Sequence, residues 1–345
     1  STLVALDTDR ARVEREAMLA APPSDTLALA IDKCRTMELA ERVGVPAPRT
    51  VHGDSLVELL DRVAGLRFPV AVKPRGNSLH AATVHALDFK VQYARTLDEL
   101  RDVLLTLRAG TGYPLVQEYV RGVGMCVDAV CRDGVPIAMV AYLKCREFPL
   151  SGGVSVVRQC VPLDECVERY TAALLGAIGW HGAAMVEFKY DVREHRYTLM
   201  EINGRFSAAA AISFDAGVNL PYLATCVHLG RDIPAERPSY EVGTRARWLR
   251  GDVLALREHL ANRRAARTCG PLHKPPSTWD VVRAFVRDFR PGMCYDEFKR
   301  WDWKPGVVEA ISLAGLLIHW VTSALVAPGR ALLRPVKRRL VRRLA

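Results

Sequence analysis

Two apolar runs, residues 183–192 and 197–202, flank the polar stretch Arg193-Glu194-His195-Arg196, which makes this the clearest hairpin in the chain. Each run carries one acid in apolar surroundings: Met185-Val186-Glu187-Phe188 and Leu199-Met200-Glu201-Ile202. Glu187 and Glu201 each stand seven residues from Glu194, so a symmetric hairpin puts them directly opposite one another on one face. Opposed like charges repel, and a cation held between them relieves the repulsion. Asn203 points to the same face and adds a neutral oxygen; the set suits magnesium, which keeps waters and bridges nucleotide phosphates. Arg205 is within reach of a phosphoryl oxygen. A register shifted by one residue leaves instead a solvated face whose acids pair with Lys189 and the turn arginines, and spacing alone gives the two readings even weight.

The remaining chain supports an α+β protein. Its 345 residues, half hydrophobic and a quarter charged, have the composition of two or three packed globular units. The net charge of +10 first suggests a nucleic-acid surface, but residues 328–345 hold seven basic residues and no acid, so the body is nearly neutral and no nucleic-acid partner is expected. Nine cysteines lie scattered without metal-type spacing, and the start of the chain has neither a basic flank nor a long apolar run. A reduced, cytoplasmic protein is expected.

Residues 68–74 read as a short buried strand closed by Pro74, 96–107 as a capped helix, 114–120 as a strand, and 126–130 with 136–142 as a strand pair. Lys73 ends the first of these strands, where a buried ammonium is costly unless an anion meets it. Lys33 opens a helix after Asp32 and offers a second ammonium, although such a lysine is more often solvated.

Asp32-Lys33 running into Gly44-Val45-Pro46-Ala47-Pro48, then Phe68-Pro69-Val70-Ala71-Val72-Lys73-Pro74, Val116-Gln117-Glu118-Tyr119-Val120-Arg121-Gly122, Val186-Glu187-Phe188-Lys189 and Leu199-Met200-Glu201-Ile202-Asn203-Gly204-Arg205 together resemble the ATP-grasp superfamily, in particular its carbamoyl-phosphate-synthase-like carboxylate-amine ligases. The resemblance covers about residues 25–235. It implies two α+β lobes with antiparallel sheets: a remnant of a preceding segment over 1–31, lobe 1 over 32–118 and lobe 2 with the metal site over 119–237. Beyond it, the arginine- and tryptophan-rich composition reads as a small helical appendage over 238–306, and 307–345 as an apolar helix with a basic tail.

By position, the resemblance implies that Lys33 and Lys73 hold the phosphates of ATP and that Gln117, Glu118, Tyr119 and Val120 hold adenine. Glu187, Glu201 and Asn203 are the implied ligands of magnesium, or manganese in its place, and Arg205 with Lys73 the catalytic cations. The implied reaction joins a small-molecule carboxylate to an amine through an acyl phosphate; a catalytically silent nucleotide-binding scaffold at the membrane surface is the alternative. Lys144, Arg146 and Arg158 are candidates for the substrate carboxylate, with a solvated charged loop of equal weight. Cys145 and His181 as nucleophile and base lack supporting spacing and read better as packing residues.

The chain also departs from the family's pattern. The lid segment beginning at Arg75 has a single glycine, Val123-Gly124-Met125 stands where a ribose-binding acid is common, and Gly204 stands where proline is common, without expected chemical consequence. Residues 310–327 carry no formal charge but contain polar side chains, so a helix lying on an anionic membrane surface through 310–345 and a helix packed on the body have equal weight. Oligomeric state is not legible.

Overall fold

The computed structural model describes residues 2–74, 91–107, 113–261 and 276–318, together with 320 and 322. Residues 1–294 form one compact unit and 295–345 a second. The first unit opens with helices α1 (Thr2–Thr8), α2 (Arg10–Val13), α3 (Ser24–Ile31) and α4 (Lys33–Arg42). Asp32 starts α4 by accepting hydrogen bonds from the backbone N–H groups of Cys34 and Arg35, which leaves Lys33 on the first turn.

A first lobe follows: β1 (Thr50–Val51), α5 (Leu56–Val63), β2 (Val70–Lys73), β3 (Gln92–Ala94), α6 (Leu97–Thr106) and β4 (Leu115–Glu118). The sheet order is β1-β4-β2-β3, every neighbouring pair antiparallel. Both helices are capped as their sequences require, Ser55 and Thr96 accepting from the N–H groups of Glu58 and Glu99. Leu59 and Val63 of α5 and Leu100 and Leu104 of α6 bury against Val70, Val72 and Val116.

The second lobe is built on β5 (Gly124–Arg132), β6 (Val135–Phe148), β7 (Val154–Cys160), α7 (Glu165–Ala177), β8 (Gly182–Asp191), β9 (Arg196–Asn203), α8 (Ala211–Asp215), α9 (Leu220–His228), β10 (Arg245–Arg247), α10 (Leu249–Ala261), α11 (Thr278–Arg287) and β11 (Met293–Tyr295). Its seven-stranded sheet has the order β11-β10-β7-β6-β5-β8-β9. Alternation sends Met125, Val127, Ala129, Ala184, Val186 and Phe188 into a core with α3, α4, α7 and Trp180, while Cys126, Val130 and Met185 face α8 and α9. The α4 helix therefore packs on the second-lobe sheet, although the boundary expected at residue 32 assigns it to lobe 1; its apolar face, Met37, Leu39 and Ala40, matches that core. Residues 238–306, expected as a purely helical appendage, also supply β10 and β11, and the unit break falls between 294 and 295.

The β8–β9 hairpin differs instructively from its expected form. Asp191 pairs with Arg196, so the connection is 192–195, centred half a residue before Glu194, with His195 at a positive φ of 50°. Continued regularly, that register would set Glu187 opposite Met200. A β-bulge between Glu187 and Phe188 absorbs one residue of β9, and Glu187 faces Glu201 after all. Leu199 and Ile202 can then both enter the helix-covered core although three residues apart.

In the second unit, residues 304–318 are helical, and Trp301, Trp303, Val308, Ile311 and Ile318 are exposed. Among the described residues no helix is long and apolar enough to cross a membrane. The eight described cysteines are free thiols; Cys269, the lid segment from Arg75 and the basic tail lie outside the described residues.

Two positions expose the energetics. At Gly122, where the chain leaves the first lobe, a Cβ would lie 1.8 Å from the carbonyl oxygen of Tyr190, so Gly122→Ala is expected to cost about 3 kcal/mol in urea unfolding. On β5 the buried Asp128 accepts from Ser207 Oγ at 2.8 Å and Ser213 Oγ at 3.4 Å, tying the segment after β9 to the sheet. Burial pushes its carboxyl up to about 7, against those hydrogen bonds and the charges of Arg158 and Arg205. A folded-state value above the ordinary 3.8 means that the folded chain binds this proton more tightly than the unfolded chain, so stability falls as pH rises from about 4 to about 7. Asp128→Asn is expected to raise the melting temperature at pH 8 and to change it little at pH 4.

Candidate active site

The site face of the second-lobe sheet meets the end of β2 and the start of α4. Gln117 and Lys73 come from the first lobe, Lys33 from α4, and Lys144, Glu187, Lys189, Glu201 and Asn203 from adjacent strands of the second. The sequence-predicted phosphate, metal and catalytic residues thus converge.

Glu187 and Glu201 occupy one rung of the β8–β9 ladder. Lysines hold both: Lys144 Nζ donates to Glu187 Oε1 at 3.0 Å, and Lys33 Nζ lies 3.5 Å from Glu201 Oε2. Asn203 Nδ2 donates to Glu201 Oε1 at 2.8 Å, and Arg205 Nη2 donates to Asn203 Oδ1 at 3.5 Å. Burial pushes the Glu187 carboxyl up despite Lys144. Burial acts on Glu201 in the same direction but is outweighed by Lys33, the Asn203 hydrogen bond and Lys73, so Glu201 is held low. Burial likewise opposes the charge of Lys144, yet Glu187 and Glu147 keep its ammonium well above the ordinary range.

Lys73 Nζ donates to Gln117 Oε1 at 2.7 Å, and Gln117 Nε2 donates to Thr50 Oγ1 at 2.8 Å. Burial, then the nearby charge of Lys189, lowers the Lys73 ammonium to about 8. Gln117 is therefore engaged in orienting a lysine, a role not visible in its resemblance to an adenine contact. Glu118, on the other face of β4, accepts from Arg67 N at 2.9 Å and Arg67 Nε at 3.2 Å, so its side chain fastens the lobe. Tyr119 packs edge-on against Tyr93 at 5.5 Å, and Val120 is buried beside it in sequence.

The three candidate substrate residues separate. Lys144 pairs with Arg158 across β6–β7 and shares its face; Arg158 is completely buried and its charge reaches Asp128. A bulge at Cys145 in β6, followed by one at Val156 in β7, turns Arg146 to the opposite face, where it binds Asp252 at 2.8 and 2.7 Å and Asp288 at 2.7 Å. Arg247, its guanidinium over the rings of Phe285 and Phe289 at 4.4 and 4.3 Å, completes that ion network through Asp252. Arg146 is therefore not brought to the site: its guanidinium anchors α10 and α11 to the sheet. Cys145 is the exposed residue of a bulge, and His181 bonds Asp133 at 2.9 Å.

Two features were missed in the sequence. Glu147 reaches back to Lys144 at 2.5 Å, a contact its three-residue spacing does not signal in a strand without the bulges. Gly124 leaves space for the lysine stem: a Cβ there would lie 2.8 Å from Lys144 Cδ. Gly204, expected to be without chemical consequence, has a packing one, since a Cβ would lie 2.7 Å from Trp180 Cη2 and 2.9 Å from Leu27 Cδ1.

The donor set fits a magnesium ion completed by nucleotide phosphates. Two carboxylates and one amide supply hard oxygens, and among the described residues no cluster of three or more His, Cys, Asp or Glu would hold a metal unaided.

Residues 113–251 match the model of a family described as ATP-grasp in the biosynthetic pathway with Ter operon. The carbamoyl phosphate synthase large chain of Thermomicrobium roseum is 26% identical over 218 residues, 61% of this chain and 19% of that one. Among solved structures, biotin carboxylase from Campylobacter jejuni in a β,γ-ATP complex superposes with a TM-score of 0.57 at 14% identity, covering 70% of this chain and 56% of that one. N5-carboxyaminoimidazole synthase from Aspergillus clavatus, with ADP and 5-aminoimidazole ribonucleotide, gives 0.54 at 13% identity, covering 69% and 61%. The chain spans about a fifth of the curated relative and little more than half of these two structures. Residues 113–251 thus match an ATP-grasp family model, and the two-lobed fold is similar to that of these two solved structures.

Proposed function

We propose that this protein is an ATP-dependent carboxylate-amine ligase. The observation that carries the reading is the opposed pair Glu187 and Glu201 on one ladder rung, with Lys33 and Lys73 converging on them. Magnesium, held by Glu187, Glu201 and Asn203, would supply charge neutralisation at the β- and γ-phosphates of ATP. Lys33 and Lys73 hold the phosphate oxygens from the first-turn and strand-end positions described above, and Arg205 offsets the charge on the phosphoryl group as it moves to a substrate carboxylate. The resulting acyl phosphate is attacked by an amine, which loses a proton as phosphate departs and the amide forms. Lys144, paired with Glu147 as well as Glu187, is a cation on this face suited to the substrate carboxylate.

The test is phosphate and ADP release from magnesium-ATP in the presence of pooled carboxylic and amino acids. Glu201→Gln removes one carboxylate from the metal set and is expected to lower turnover at least about a hundredfold. Unchanged turnover in that variant overturns the metal assignment, and tight ATP binding without turnover in the wild type supports the silent-scaffold reading instead.

The second unit supports a membrane-surface role. Residues 307–318 are apolar on nearly every side yet exposed, two tryptophans stand at the preceding end, and the following sequence carries seven basic residues. A helix with that surface and charge suits an anionic bilayer, each basic residue near the lipid adding about 1 kcal/mol. The full chain is expected to co-sediment with phosphatidylserine-containing vesicles, less with neutral ones and less at about 0.5 M salt, where the Debye length falls to about 4 Å. Equal sedimentation after removal of 304–345 rules this role out.

A further inference from the structure

The α11 helix is held to the first unit along one side only. Asp288, at its end, binds Arg146 at 2.7 Å and Arg245 at 3.4 Å, and the Phe285 carbonyl accepts from Arg247 Nη2 at 3.3 Å. These contacts tie the helix to the sheet face opposite the Glu187–Glu201 rung, yet no residue of α11 is buried. Trp279, Val282, Val286 and then Phe289, just past the cap, follow at three- and four-residue steps and so share one stripe of the helix. Trp279, Val286 and Phe289 are 71, 61 and 56% exposed. Single exposed apolar residues are ordinary, but a continuous stripe headed by a tryptophan is a contact surface.

Charge indicates what meets it. Arg283, Arg287 and Arg290 repeat at four and three residues along the neighbouring strip, all exposed, and among the described residues none of their guanidiniums makes an ion pair. The two acids of the segment are engaged elsewhere: Asp280 accepts from Ser277 Oγ at 2.6 Å in the cap, and Asp288 faces inward to Arg146 and Arg245. The outer side therefore presents an apolar stripe edged by unpaired cations. A nucleic acid or an acidic polypeptide would answer the arginines and leave the stripe in water. An anionic lipid surface answers both, with acyl chains for the stripe and headgroup oxygens for the guanidiniums, and tryptophan favours that boundary.

We propose that α11 is a docking helix for anionic lipid, Trp279, Val286 and Phe289 entering the headgroup boundary and Arg283, Arg287 and Arg290 binding the headgroups. It is a contact of the first unit, made by residues other than the apolar helix and basic tail of 304–345, and it does not depend on them.

Phenylglyoxal modification of the full wild-type chain, read by peptide mass spectrometry, tests the proposal without a variant. Phosphatidylserine-containing vesicles are expected to slow modification of Arg283, Arg287 and Arg290, and phosphatidylcholine vesicles to leave it unchanged. Arg287→Gln is expected to lower partition onto the anionic vesicles about fivefold, the loss of one lipid-facing charge. Trp279→Ser is expected to lower it as well with every arginine in place; both side chains are exposed, so neither substitution threatens the fold. A chain that co-sediments with anionic vesicles while its α11 arginines react as fast as in free protein overturns the proposal and leaves the role of 304–345 standing. A chain that does not bind these vesicles overturns both. Slowing by RNA and not by vesicles, or slowing that grows with protein concentration in the absence of lipid, assigns the surface to a nucleic acid or to a second copy of the chain and also overturns the proposal.

Discussion

Two carboxylates facing each other across one rung of a ladder are unstable unless a positive charge compensates them, and much of the second lobe is arranged around that constraint. The bulge in β9 sets the opposition, and Lys33 and Lys144 arrive from α4 and β6 to neutralise it. Even the first helices follow: α4 packs its apolar face on the second-lobe sheet, which delivers Lys33 to Glu201 from the side. Burial pushes both acids up, and their partners separate them: Glu187 stays raised, while Lys33, the Asn203 hydrogen bond and Lys73 hold Glu201 low.

The opposite face of the sheet shows the same economy with different chemistry. Arg146, Arg245, Arg247, Asp252 and Asp288 form a buried ion network beside the edge-to-face pair Phe285 and Phe289, and it joins α10 and α11 to β6 and β10. Such networks contribute modest net stability but are costly to break singly, since a lost partner strands a buried charge. Lys144 and Arg146, two residues apart, therefore serve opposite sides of one sheet: the first the site, the second the scaffold.

Local signals were legible wherever one residue type has one strong physical preference. Thr96 and Asp32 cap their helices as expected, and the strand ending at Lys73 is buried through Val72. Contacts made through irregular strands were not legible. The bulges around Cys145 that separate Lys144 from Arg146 leave no mark in the alternation of residues, and nothing near Gly204 reports that Trp180 and Leu27 fill the space beside it.

The hairpin carries the clearest division between the two levels. Sequence by itself determined that two apolar strands with one acid each meet at a polar turn, because period-two burial and turn chemistry are local properties. Whether the acids meet was decided by tertiary structure. The turn is offset by half a residue from the expected centre, and a bulge elsewhere corrects the offset, since only that correction lets Leu199 and Ile202 both reach the core. A register is chosen by the whole packed face, and a residue count along the chain cannot record what lies across from it.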